Sequence, residues 1–243
     1  MVKGVYGTMD AQKCIENNII YQCVTGSFAY RLNTENSDTD IRSIFIPPPE
    51  YVFGINVIEN VKPQSDIDIE YISLRKVFTQ WCIGALNWIE LLWVDDDMIQ
   101  IETQISKTLR AKRDMFTTQR VIHKTIGFMN AMIKRYEQSK RTNNPNINKE
   151  LMHAVRIGRM VLDFTQSGIL VVDRSSDREH LMDIRYGNIP YDIIVGEVND
   201  LISKLENSIT TLKWNKVVPE QEANQLLVSL HFEYWNCNTP NRE

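Results

Sequence analysis

The sequence predicts an α+β fold, with strands gathered in residues 1–115 and helices filling 116–243. Two patterns carry this. Acidic and apolar residues alternate with period two in short runs of the first part, whereas apolar residues recur at three- and four-residue spacing through the second. At 243 residues, the chain accommodates one large domain or two small ones.

Ile19 to Val24 ("IIYQCV") is a short, largely apolar run, as in a strand buried on both faces. Gly26 and Ser27 end it, and Ser27 is a suitable N-cap for a brief helix over "FAYRL". Amides in a strand–Gly–Ser–helix turn converge and favour an anion, although such turns are common without one. After the polar loop "NTENSDTD", period-two geometry puts Asp38, Asp40 and Arg42 on one strand face, with Ile41 and Phe45 on the other. Pro47 to Pro49 stop pairing beyond that strand.

In "SDIDIEYISL", Asp66, Asp68 and Glu70 share one face, and Ile67, Ile69 and Tyr71 the other. Two acidic strands side by side would gather carboxylates that repel one another, which calls for a cation. Oxygen-only ligands suit Mg²⁺ or Mn²⁺ over zinc. The competing reading is an edge strand protected by charge. From Leu74 to Val94 the apolar positions predict one helix with a broad buried face. Arg75 and Lys76 sit in its first turn, where the helix dipole disfavours cations unless an anion is near. Asp95 to Asp97 separate helices and are left outside the site.

A net charge of −4 argues against a broadly basic nucleic-acid coat, while leaving room for a local basic groove. The cysteines at 14, 23, 82 and 237 form no CxxC pair, so they indicate reduced thiols and neither a zinc site nor a disulfide framework. No apolar run approaches the ~20 residues of a membrane span, and the N-terminus lacks a signal core. A cytoplasmic protein with no membrane partner is expected.

The combination "GSFAY", "SDTDIRSIFIPPP", "DIEYISLRKVF" and "IELLW" resembles the nucleotidyltransferase superfamily that includes DNA polymerase beta. It is most similar to the predicted nucleotidyltransferases of bacteria and their phages. That resemblance implies a small mixed-sheet catalytic domain over 1–115 and a helical C-terminal domain over 116–243. It implies that Gly26 and Ser27 hold the triphosphate, that Arg42 assists, and that Asp38 and Asp40 bind Mg²⁺ or Mn²⁺. For the third carboxylate Asp68 is preferred, with Glu70 in reserve and Asp66 behind both, because alternation alone cannot choose among them. The implied reaction moves a nucleoside monophosphate from an NTP such as ATP to an acceptor hydroxyl, releasing pyrophosphate. RNA, proteins and small molecules are all acceptors in the superfamily. The alternative is a non-catalytic nucleotide-binding or interaction protein on the same fold.

The chain departs from the pattern in three places. Arg31 replaces the glycine after Ala-Tyr, Ser43 replaces the glycine after Arg42, and Gly84-Ala85-Leu86 replaces Gly-Asn-Pro. Arg31 is the departure expected to narrow the pocket or add a phosphate contact.

In the second part, periodic apolar residues predict helices over "QRVIHKTIGFMNAMIKRYEQSKR" and "KELMHAVRIGRMVLDFTQSG", the latter closed by Gly168. Further helices are expected over about 177–186, stopping at Gly187, from near Pro190, and over about 219–232. On the second of these helices Lys149, His153 and Arg156 fall at i, i+4 and i+7. This basic stripe is either a solvated face or a phosphate-facing one. The resemblance, which extends through "VVDRSSDREHLMDIRYG", implies the second and assigns all three to the nucleotide. His123, His180 and His231 have no ligand spacing and are expected to be packing or surface residues.

Overall fold

The computed structural model describes residues 9–63, 68–139 and 146–238. In chain order its elements are α1 (Met9–Glu16), β1 (Ile19–Thr25), α2 (Gly26–Ala29), β2 (Asp40–Phe45), α3 (Glu50–Phe53), β3 (Asn60–Val61), β4 (Asp68–Ser73), α4 (Leu74–Cys82), α5 (Leu86–Ile89), β5 (Ile99–Glu102), α6 (Gln104–Ala111), α7 (Gln119–Ser139), α8 (Ile147–Ser167), α9 (Arg178–Tyr186), α10 (Tyr191–Thr211) and α11 (Glu220–Asn238). The fold is a five-stranded mixed sheet with helices, continuing into a helical C-terminal region.

The strand order is β3-β4-β2-β1-β5. Among the described residues β2 and β4 run parallel, and the other pairings are antiparallel. One face grades from polar to apolar along the strands. Thr25, Asp40 and Asp68 pair across one end, Cys23, Arg42 and Glu70 come next, and Tyr21, Ile44 and Ile72 are fully buried beyond. The other face carries Phe45 and Tyr71, which pack with Ile15 and Ile58 in a small second cluster. The hydrophobic core on the first face is continuous from Ile20 to Leu230, so sheet and C-terminal helices share it. In α11, Trp235 Nε1 donates to Pro47 O (3.0 Å) and the Tyr234 hydroxyl to Asn18 Oδ1 (3.1 Å), which ties the last helix to the sheet region.

The structure corrects three expectations. Asp38 lies in the loop before β2, because the strand begins only where Asp40 can pair with Asp68. The single helix over 74–94 is broken into α4, α5 and a 3₁₀ turn at Glu90–Leu92. Gly84 makes the break at φ 71°, and a Cβ there would lie 3.1 Å from the backbone of Arg120 and Val121. Both pieces still face the same core, which is why the apolar periodicity ran through the break. Third, Ser27 lies inside α2, and Thr25 takes the N-cap position without a side-chain cap; the anion beside Arg75 is Glu59, and Glu70 pairs with Arg42. Ser73 caps α4, accepting from Lys76 N at 3.2 Å.

Candidate active site

Strand register builds the site. Because β2 and β4 are parallel and begin together, Asp40 sits directly opposite Asp68, and Arg42 opposite Glu70. Side chains opposed in this way lie about 5 Å apart at Cβ, close enough for two carboxylates to feel each other. Burial raises the Asp40 pKa above its ordinary value; the Asp68 charge adds to that and the Asp38 charge contributes less. A cation is already at hand: Lys62 Nζ lies 2.7 Å from Asp68 Oδ1.

The turn after β1 closes against this pair. Gly26 has φ 65°, and a Cβ at that position would collide with Asp40 Oδ2. The position therefore demands glycine twice over, for its left-handed backbone and for the carboxylate lying against it. Gly26, Ser27, Asp38, Asp40 and Asp68 all line one cavity of about 260 Å³.

Its opposite wall comes from the C-terminal helices: Lys149 and His153 of α8, and Arg185 of α9. Burial, and then Arg156, Lys149 and Arg185, push the His153 pKa down to about 3. Its imidazole is thus neutral at physiological pH and offers a hydrogen-bond donor without a charge.

Arg42 and Arg156, the two other residues assigned to the nucleotide, do not line this cavity; both lie beneath it. Arg42 pairs with Glu70 (2.5 Å) and stacks over Trp88 at 4.3 Å. Arg156 is 4% exposed, lies 3.6 Å from the Tyr30 ring centre and 3.9 Å from Glu90 Oε2. Glu90, also 4% exposed, accepts a hydrogen bond from the Tyr30 hydroxyl, and burial raises its pKa against the pull of Arg156. Tyr30 in turn lines the cavity. The stripe on α8 therefore faces the cleft with its first two members and braces it with the third. Glu70, held by Arg42 and Asn60, does not line the cavity, and Asp66 lies outside the described residues. His123 is exposed, His180 pairs with Glu197 (2.7 Å), and His231, itself in α11, is buried with Nδ1 2.8 Å from Leu227 O one turn earlier.

Sequence reasoning missed the clamp that holds the site loop. Four successive carbonyls, Tyr30 to Asn33, accept hydrogen bonds from the C-terminal half: Tyr30 O from Arg174 N, Arg31 O and Asn33 O from Arg178, and Leu32 O from Arg185. The arginines stood in a stretch already tied to the family pattern, but partners nearly 150 residues away leave no local signal. The departures are also explained. Arg31 has φ 57°, the left-handed conformation for which glycine is suited, and its guanidinium pairs with Asp97 and Asp173 away from the cavity. Ser43 is fully buried on the other sheet face and donates to Gln22 Oε1 (2.7 Å).

The donor set suits a hard divalent ion in kind, since Asp40 and Asp68 offer only oxygen, face each other in register, and share the cavity with Asp38. Among the described residues no three acidic, histidine or cysteine side chains close around one point. Ligation would therefore draw these carboxylates together and displace Lys62 from Asp68.

No curated protein matches the chain. Among solved structures it is similar to a nucleotidyltransferase-like protein from Exiguobacterium sibiricum 255-15, with 8% identity and a TM-score of 0.33 over 96% of this chain and 79% of that one. The model of the RlaP family, described as the RNA repair pathway DNA polymerase beta family, matches residues 6–166. That span runs through the Gly26–Ser27 turn, both acidic strands and the cavity-facing turns of α8, and on that match the chain belongs to the RNA repair pathway DNA polymerase beta family.

Proposed function

We propose that the protein is a metal-dependent nucleotidyltransferase that moves a nucleoside monophosphate from an NTP to an acceptor hydroxyl. The observation that carries this reading is the register of Asp40 on Asp68 beside the Gly26–Ser27 turn, with Lys149 across the cavity. Asp38, Asp40 and Asp68 would hold Mg²⁺ or Mn²⁺, which when bound neutralises phosphate charge and lowers the pKa of a coordinated oxygen. The acceptor oxygen attacks the α-phosphorus as the bond to the β-phosphate breaks, and pyrophosphate leaves. Asp68 takes the acceptor proton once Lys62 has moved aside. Lys149 and the turn amides carry charge on the phosphates, and neutral His153 donates a hydrogen bond there. The family description favours an RNA end as acceptor.

A second reading, nucleotide binding without turnover, draws on the Lys62–Asp68 ion pair and on the carboxylates not closing around one point. One experiment separates the two. With α-labelled NTPs, Mg²⁺ and total RNA, the enzyme reading predicts label in RNA and stoichiometric pyrophosphate. Saturable NTP binding with neither product would leave the second reading standing.

A further inference from the structure

A second cavity of about 770 Å³ opens beside the first, and the two share Asn36 and Arg185. Its size falls within the ~300–1,000 Å³ typical of small-molecule sites, whereas the first, at 260 Å³, falls short of it. A nucleotide reacting over Asp40 and Asp68 would therefore extend beyond the carboxylate cavity, and this opening adjoins it.

The walls suit a base. Tyr186, the last residue of α9, leaves 63% of its surface exposed beside Arg178 and Arg185. Opposite stand the amides of Asn33 and Asn36, with Glu35 the single acid among these residues. An exposed aromatic ring next to arginines is how proteins hold unpaired bases, by stacking on the ring and pairing with the backbone charge. The groove is also preformed. Thr34 N donates to Ser37 Oγ (2.8 Å), Ser37 N donates to Thr34 O (3.0 Å), and Arg178 fixes the loop to α9 through Arg31 O (2.9 Å) and Asn33 O (3.1 Å). A rigid loop facing an exposed ring loses little entropy on ordering a ligand.

We infer that this groove is a nucleobase subsite, with Tyr186 as its stacking platform and Arg185 as the phosphate or ribose contact where the two cavities meet. The inference rests on the nucleotidyl-transfer reading for what lies next door. The base belongs either to the incoming NTP or to the terminal nucleotide of an RNA acceptor, and binding measurements separate these sources.

The test compares wild type with Tyr186→Ala and Tyr186→Phe, titrating each with ATP, with inorganic tripolyphosphate and with a short single-stranded RNA, all in Mg²⁺. Tyr186 is exposed at a helix end, so alanine there leaves the core intact. Loss of one stacked base corresponds to binding about 5- to 150-fold weaker. That loss is expected in Tyr186→Ala for ATP or for RNA, the affected ligand naming the source, with Tyr186→Phe near wild type and tripolyphosphate unchanged. If wild type binds ATP and RNA and Tyr186→Ala binds both equally well, the subsite is overturned and the transfer reading stands. An equal loss for tripolyphosphate would also overturn it, since that ligand has no base. Wild type that binds none of the three overturns both.

Discussion

Gly26 and His153 each connect a single side chain, or the lack of one, to the chemistry of the cleft. Gly26→Ala would place a methyl group against Asp40 Oδ2 on a left-handed backbone, which costs alanine about 1–2 kcal/mol before any clash. The expected outcome is stability lowered by at least that much, together with loss of Mg²⁺-dependent NTP binding as Asp40 is displaced. Calorimetry on the variant checks both, and binding equal to wild type would detach the turn from the carboxylates. His153 predicts a pH effect. Its folded pKa of about 3 lies below the ordinary 6.5, so between those values the unfolded chain binds more protons than the folded one. Its contribution to stability is full above pH 6.5 and falls as pH drops toward 3. His153→Gln should remove that acid sensitivity, on the order of 3 kcal/mol between pH 6.5 and pH 4, read from urea midpoints at several pH values. Parallel pH profiles for the two proteins would show that the imidazole titrates normally.

Element by element, what the sequence revealed depended on whether the signal was local. Strand β4 and the helices closed by Gly168 and Gly187 were legible because alternation, apolar spacing and left-handed glycine stops all lie within a few residues of one another. The break at Gly84 was hidden, since its cause is the approach of Arg120 and Val121 from a distant helix. The two-residue β3 and the four-residue α3 are too short to carry a period. Register was legible only in part. Alternation put Asp68 and Glu70 on one face, but only pairing with β2 sets Asp68 against Asp40 and Glu70 against Arg42. Arg31 is the test at this scale. In Arg31→Gly, relief of about 1–2 kcal/mol of left-handed strain is offset by the loss of exposed pairs worth about 0–1 kcal/mol each and by a more flexible unfolded chain. Stability within about 1 kcal/mol of wild type and unchanged NTP affinity are expected from denaturation and titration. A tenfold loss of affinity would mean that the guanidinium reaches the ligand.

Across the whole molecule, the buried contact of Tyr30, Glu90 and Arg156 joins the site turn, the segment after α5 and helix α8. The basic stripe was readable from spacing, but spacing cannot tell a cleft-facing cation from one buried a turn deeper with a carboxylate. Removing one partner of a buried pair leaves the other uncompensated, so Arg156→Ala should cost about 3–5 kcal/mol. Glu90→Gln combined with Arg156→Met should recover most of it, which a double-mutant cycle in urea measures; full stability in Arg156→Ala alone would mean that Glu90 is not charged against it. The continuous core makes the cleft a product of both halves, since the acids come from the sheet and Lys149, His153 and Arg185 from the helices. The proposed nucleotidyl transfer over Asp40 and Asp68 is tested by single-turnover kinetics with α-labelled NTP, Mg²⁺ and an RNA acceptor on Asp68→Asn and Glu70→Gln. Asp68 lines the cavity, whereas Glu70 is held by Arg42 outside it. Asp68→Asn should lose at least about 100-fold, the scale of one preorganised transition-state contact, while Glu70→Gln keeps near wild-type rates. A dead Glu70→Gln beside a nearly normal Asp68→Asn would contradict the proposal.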